Sequence, residues 1–299
     1  MTTTFEEKLK LNGTLIVITN NSCNLSCSNC LLLPHFEKQE EYSWNSISDR
    51  MEAWARSLDV DDIAIAGGEM FMHPNLDVWF SNLRRLWPNA RIEVPTNGTL
   101  LSKRLELSRL ICSDKNAILR VSCLYDNPDK YKEIESQIHE VLDIWKDNLE
   151  IVSDNEGINY YVNNNLVLRY HNITHFANPY YQNITGKNVN FHMNGDQEES
   201  FKKCIWHADY ILQHGLLNHC PATVNYASSN SVLRFSPEVV ESFKKYTPCD
   251  PLKGAEYIKW YINEYKQNSI EVCKHCAYDK RVTDKLFNLK VVQLPSTKL

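Results

Sequence analysis

Three cysteines fall close together in Cys23-Asn24-Leu25-Ser26-Cys27-Ser28-Asn29-Cys30, three residues and then two apart. Thiolates this near one another hold metal, either one ion with a fourth ligand from elsewhere or three irons of a four-iron cube. A [4Fe–4S] cube normally takes four cysteines, so three leave one iron with an open position where a small molecule can bind and react. The unequal C-x3-C-x2-C spacing departs from the paired C-x2-C knuckles of structural zinc sites, which remain the alternative. A second set lies downstream: Cys204 and Cys220 flank a strand–turn–strand stretch, and Cys273 and Cys276 form a C-x2-C pair. Four thiols suit tetrahedral zinc or a fully ligated cube equally well. Cys249, in Pro248-Cys249-Asp250-Pro251, reads as a bystander, and Cys112 and Cys123 read as small hydrophobes in a helix and a strand. Seven of the ten cysteines are thus candidate ligands.

The elements that must position these thiols alternate. The apolar run over 14–20 predicts a strand leading directly into the first Cys loop. Helical spacing of Ile47, Met51, Trp54 and Leu58 predicts a helix over 43–58, with Ser43 as its N-cap. A strand over 62–66 runs into Gly67-Gly68-Glu69, and a helix follows from Pro74 until Pro88 stops it. A third strand over 91–95 ends in Thr96-Asn97-Gly98, a helix covers 102–112, and a fourth strand spans 117–124. The helix over 128–145 carries Ile134, Ile138, Val141, Leu142 and Trp145 in register. Four strand–helix units in a row predict a parallel sheet with right-handed crossovers, in which chemistry collects in the loops after the strands. The Cys loop, Gly67-Gly68-Glu69 and Asn97 all fall there, and Ser122 ends the fourth strand. Beyond residue 145 the pattern loosens; strands five and six are expected among strand-like pieces between 148 and 200.

A chain of 299 residues with 43% hydrophobic and 23% charged residues is of ordinary globular composition. A net charge of −5 offers no basic patch for a long nucleic acid, and no apolar run reaches the length of a membrane span. The polar N-terminus is unlike a secretory signal, so the cysteines read as ligands and thiols in a cytoplasmic protein rather than as disulfides.

Cys23, Cys27 and Cys30, with Gly67-Gly68-Glu69-Met70 one strand later, resemble the signature of the radical S-adenosylmethionine (SAM) superfamily. The sequence departs from that family at Met70, where a proline is usual, and at Asn29, where an aromatic is usual. The resemblance implies a fold of α/β class: an N-terminal extension over 1–13, a partial parallel (β/α)6 barrel over 14–200, and a small Cys-rich α+β appendage over 201–299. It implies a [4Fe–4S] cluster on Cys23, Cys27 and Cys30 with SAM at its open iron. Gly67, Gly68, Glu69, Asn97, Ser122 and Arg169 are then candidate SAM contacts, His73 is structural, and flavodoxin or ferredoxin is the reductant. The form C-x10-G-x4-C followed by C-x2-C resembles the shortened "Twitch" version of the SPASM domain. That implies a second, auxiliary [4Fe–4S] cluster on Cys204, Cys220, Cys273 and Cys276, with His207, His214, His219 and His275 outside the ligand set.

The implied activity is reductive SAM cleavage and hydrogen abstraction from a small polar substrate of sugar, aminocyclitol or nucleotide type, followed by oxidation or rearrangement. Peptide maturation and nucleobase modification remain open, although only a short segment precedes the first strand, leaving little room for a peptide-recognition domain. A zinc-stabilised binding protein is the non-enzyme alternative.

Overall fold

The computed structural model describes residues 7–27, 30–32, 40–125, 127–155, 157–173, 181–185, 188–191, 196–204, 206–224 and 234–276. Two short pieces, β1 (Leu9–Lys10) and β3 (Leu58–Asp59), pair outside the main sheet. The main sheet gathers β2 (Thr14–Asn20), β4 (Asp62–Gly67), β5 (Arg91–Thr96), β6 (Ala117–Cys123), β7 (Leu149–Asp154), β8 (Gly157–Val162), β9 (Asn165–Asn172), β12 (Tyr210–Gln213) and β13 (Leu216–Asn218). Its order is β13-β12-β2-β4-β5-β6-β9-β8-β7. The six central strands, β12 to β9, are all parallel, and an antiparallel hairpin closes each edge. A smaller sheet joins β10 (Tyr181–Thr185), β11 (Asn188–Phe191) and β14 (Arg234–Phe235).

Four helices make the expected crossovers: α1 (Ser48–Ser57), α2 (Leu76–Leu86), α3 (Leu105–Ser113) and α4 (Pro128–Leu142). Pro128 at the first turn of α4 and the Asn127 side chain accepting from the Asp129 N–H fix its start. Ser43 does not cap α1. It precedes a short 3₁₀ turn at Trp44–Ser46 and makes no side-chain cap bond, because burial of Trp44 holds the chain in that turn before α1 begins. The core lies between the sheet and these helices, with Trp54 and Trp79 fully buried.

Of the two further strands expected between 148 and 200, only β9 joins the parallel set. β8 and β9 are joined by Asn163-Asn164 at φ 50° and 64°, the two-residue geometry of a hairpin, and hairpins force antiparallel pairing. The sixth parallel strand is β12, which lies beyond residue 200 and docks on β2 with Tyr210 opposite Leu15 and Gln213 opposite Ile18. The turn after β12, His214 at φ 52° and Gly215 at φ 72°, is the same kind of hairpin and was legible as a turn. Two further ties bind this hairpin region to α1. Trp54 Nε1 donates to the Gly215 carbonyl at 2.8 Å, and Arg50 grips the Asp250 carboxylate at 3.2 and 3.0 Å.

Candidate functional site

Cys23, Cys27 and Cys30 line one open cleft of about 1010 Å³, together with the loops that follow β4 and β5 and with Ser122 and Leu124 from the end of β6. Cys27 is buried, Cys23 and Cys30 are half-buried, and the Cys30 N–H returns to the Cys27 carbonyl at 3.2 Å. Burial pushes the Cys23 thiol up to about 12, so metal loading here displaces a proton. Asn29 lies outside the described residues.

Asn20, the last residue of β2, ties the Cys loop to the next loop. Fully buried, it donates from Nδ2 to the Glu69 carbonyl at 3.1 Å and the Ser22 carbonyl at 3.3 Å, and its Oδ1 accepts from Gly68 N–H at 3.2 Å. The Glu69 N–H donates to the Ser22 carbonyl at 2.7 Å. These contacts explain the glycine pair. A Cβ on Gly67 would meet the Asn20 carbonyl oxygen at 2.3 Å, and one on Gly68 the Ser22 carbonyl oxygen at 2.0 Å. The glycines line the cleft, but close approach to the Cys-loop backbone is what requires them.

The Glu69 side chain is turned inward. Oε1 accepts from Phe71 N–H at 3.0 Å and Thr96 Oγ1 at 2.6 Å, and Oε2 accepts from Asn97 N–H at 2.7 Å. Burial pushes its carboxyl up, and the Asn97, Thr96 and Phe71 donors pull it back. Asn97 reaches across to the Cys loop, donating from Nδ2 to Asn24 Oδ1 at 2.8 Å, while its Oδ1 accepts from Thr99. Both residues border the cleft, yet their side-chain polar atoms are spent on holding three loops in one arrangement. His73 is structural in the same sense: Asn75 N–H donates to its Nδ1 at 3.1 Å, and Nε2 faces the Tyr42 carbonyl at 3.2 Å.

Ser122 faces the cleft from β6. Arg169, on the adjacent strand β9, does not line it; its Nε donates to Asn159 Oδ1 at 2.7 Å. The register puts Arg120 beside Arg169, and it is Arg120 that reaches the cleft, with Glu93 at 3.1 Å as its ion-pair partner. Sequence reasoning missed Asn20 and Arg120. A polar residue closing an apolar strand was the available signal for Asn20, and alternation along β6 the one for Arg120.

The second set also converges. Cys204, Cys220, Cys273 and Cys276 all line one small, mostly apolar cavity, along with His207, His219 and His275. Burial pushes Cys204 up to about 11 and Cys273 up to about 12. A separate apolar cluster surrounds the site, including Val239, Phe243 and Ile270. Among the described residues no three His, Cys, Asp or Glu groups, in this set or the first, are placed to hold a single metal ion. His207 Nδ1 meets the Cys204 carbonyl at 2.5 Å, His275 Nε2 meets Ser242 Oγ at 3.0 Å, and His219 is buried against Phe201 and Tyr265. His214 lies apart, against Tyr42. Cys249 is fully buried in a bridge to Leu217, and Cys112 and Cys123 sit in the main core, none of them lining either cavity.

A chamber of about 840 Å³ lies between the two thiol sets. It shares Cys30, Ala66, Pro95 and Arg120 with the first cleft, and its far wall carries Trp206 and Pro221, beside Cys204 and Cys220 in the chain. Apart from Arg120, its described lining is nearly all apolar.

No family model and no curated protein matches the chain. Among solved structures, BtrN in complex with AdoMet and 2-DOIA is similar over 89% of this chain and 93% of its own, at 16% identity and a TM-score of 0.47. Polyhistidine-tagged anSMEcpe with bound AdoMet matches 46% of this chain and 42% of its own, at 17% identity and a TM-score of 0.36. Streptococcus suis SuiB bound to the precursor peptide SuiA matches 45% and 32%, at 17% identity and a TM-score of 0.34. The chain thus spans less than half the length of anSMEcpe and SuiB.

Proposed function

We propose that the chain is a radical SAM enzyme whose first cluster sits on Cys23, Cys27 and Cys30 and whose second sits on Cys204, Cys220, Cys273 and Cys276. The observation that supports this most is the meeting of three unequally spaced thiols with the loops after three successive parallel strands in one cleft. Such a cube, when bound with SAM, supplies a one-electron reduction that yields a hydrogen-abstracting carbon radical. The chain's own part is to hold and orient. Asn20, Glu69 and Asn97 lock the Cys loop against the loops after β4 and β5, leaving the backbone of Gly67 and Gly68 and the Ser122 hydroxyl at the cleft wall for the cofactor. Arg120 brings a cation to the border of cleft and chamber. The chamber joining the two thiol sets is the natural place for substrate, within reach of both. Its apolar lining suits a small molecule with an apolar face better than a sugar hydroxylated all round. Four protein thiols on the second site leave it fully ligated and favour an electron-accepting role, hence an oxidation.

The reading places the protein in the cytoplasm with flavodoxin or ferredoxin as electron donor; among the described residues no helix is long and apolar enough to cross a membrane. Anoxically purified protein is expected to be brown, to carry about eight irons per chain, and on reduction to convert SAM to methionine and 5′-deoxyadenosine. Cys27→Ala is expected to abolish that conversion. Unchanged turnover in Cys27→Ala ends the assignment, and colourless zinc protein replaces it with the structural reading.

A further inference from the structure

Lys266 has no exposed surface at all, an uncommon place for a lysine. A π-helical turn at Tyr261–Tyr265 puts it there: the Lys266 N–H bonds back to the Tyr261 carbonyl at 2.7 Å, adding one residue to the turn and rotating the side chain inward. Its Nζ donates to the His219 carbonyl at 2.6 Å and to the Trp206 carbonyl at 3.4 Å, and sits 5.8 Å from the centre of the Tyr210 ring. Those carbonyls lie one residue before Cys220 and two after Cys204. Among the described residues no carboxylate comes within ion-pair distance of the ammonium. The groups that act on it most strongly are Cys220, Cys204, Asp209 and Cys273, three of them thiols of the second set, and His219 feels its charge as well.

An ammonium buried without a carboxylate partner is unfavourable unless another anion offsets it. Four thiolates on a dicationic cube carry a net negative charge that grows by one on reduction. A fixed cation close to such a cube, screened by little water, stabilises the reduced form more than the oxidised form. We propose that Lys266 is the built-in countercharge of the cluster on Cys204, Cys220, Cys273 and Cys276 and raises its reduction potential. This rests on the reading of the second thiol set as a cluster site. The two carbonyl bonds fix the distance of the charge, and no carboxylate pairs with it directly, Asp209 acting on it only from beyond ion-pair distance.

The test compares full-length chains carrying Cys23→Ala, Cys27→Ala and Cys30→Ala, so that the second site alone is loaded, with Lys, Met, Arg or Gln at position 266. Failure of the Lys266 parent to take up about four irons removes the cluster reading itself, before the lysine is tested. Given a loaded parent, an EPR-monitored redox titration reads the midpoint. Lys266→Met is expected to lower the reduced-to-oxidised ratio at the parent midpoint at least tenfold, which for one electron is 59 mV. Lys266→Arg is expected to keep the ratio within threefold. An unchanged midpoint in iron-loaded Lys266→Met overturns the proposal. Should Met fail to load, Lys266→Gln, which retains a donor for the carbonyls, carries the same comparison. Loss of iron in both neutral variants with retention in Arg also supports a charge requirement, whereas loss in all three overturns it in favour of packing.

Discussion

Asn20 and His73 show how single side chains fix the cleft. Asn20 is fully buried with three hydrogen bonds linking the end of β2 to the loop after β4. Asn20→Ala removes these three bonds while Gly68 N–H keeps the Asn20 carbonyl and the Ser22 and Glu69 carbonyls keep the Glu69 and Met72 N–H groups, and it is expected to cost about 1–3 kcal/mol, read as a lower denaturant midpoint. His73 accepts from Asn75 N–H at Nδ1, so its ring is neutral with the proton on Nε2, facing the Tyr42 carbonyl. Burial lowers its affinity for a second proton, against the opposing pull of the Tyr42 carbonyl. A depressed folded value means stability that is present above the unfolded value of 6.5 and lost as pH falls through the folded one. Unfolding midpoints taken on either side of that value should fall more steeply for wild type than for His73→Gln; parallel slopes would remove this role. The Cys spacing, the glycine pair and the structural character of His73 were legible because each is a local pattern. Asn20, Arg120 and Lys266 were not, since their partners are set by strand register or by a helix irregularity that no local pattern signals.

At the scale of elements, the alternation of strand and helix through α4 was readable from apolar periodicity, and all four crossovers formed where the periods change. What periodicity cannot supply is the partner of a short apolar strand. Nothing in Tyr210-Ile211-Leu212-Gln213 announces pairing with β2, which is decided by the docking of its hairpin on α1. Gly215 is the contact point: its φ is 72°, and a Cβ there would meet Arg50 Cβ at 2.8 Å. Gly215→Ala is expected to lower stability by about 1–3 kcal/mol and to loosen the Trp54 bond to the Gly215 carbonyl. Gly254→Ala, at φ 99° with no neighbour near its Cβ, isolates the backbone component alone. A loss in Gly215→Ala of less than about 1 kcal/mol, measured by thermal unfolding, would mean that the Arg50 contact contributes nothing.

Over the whole molecule, β12 places the second thiol set against the edge of the strand that delivers the first. Cys204 and Cys220 flank the β12–β13 hairpin, and Cys23 follows β2, its parallel neighbour. The shared sheet carries both cavities, and the chamber takes one wall from the first cleft and another from Trp206 and Pro221, close to Cys204 and Cys220 in the chain. The central claim remains the three-thiol site with one iron left for a ligand. The most direct measurement is the EPR spectrum of the reduced first cluster, in protein with Cys204, Cys220, Cys273 and Cys276 replaced by Ala, before and after addition of SAM. The account predicts a four-iron signal that shifts on SAM addition because the ligand joins the open iron. A signal that SAM leaves unaltered, or protein with no iron at Cys23, Cys27 and Cys30, would contradict it.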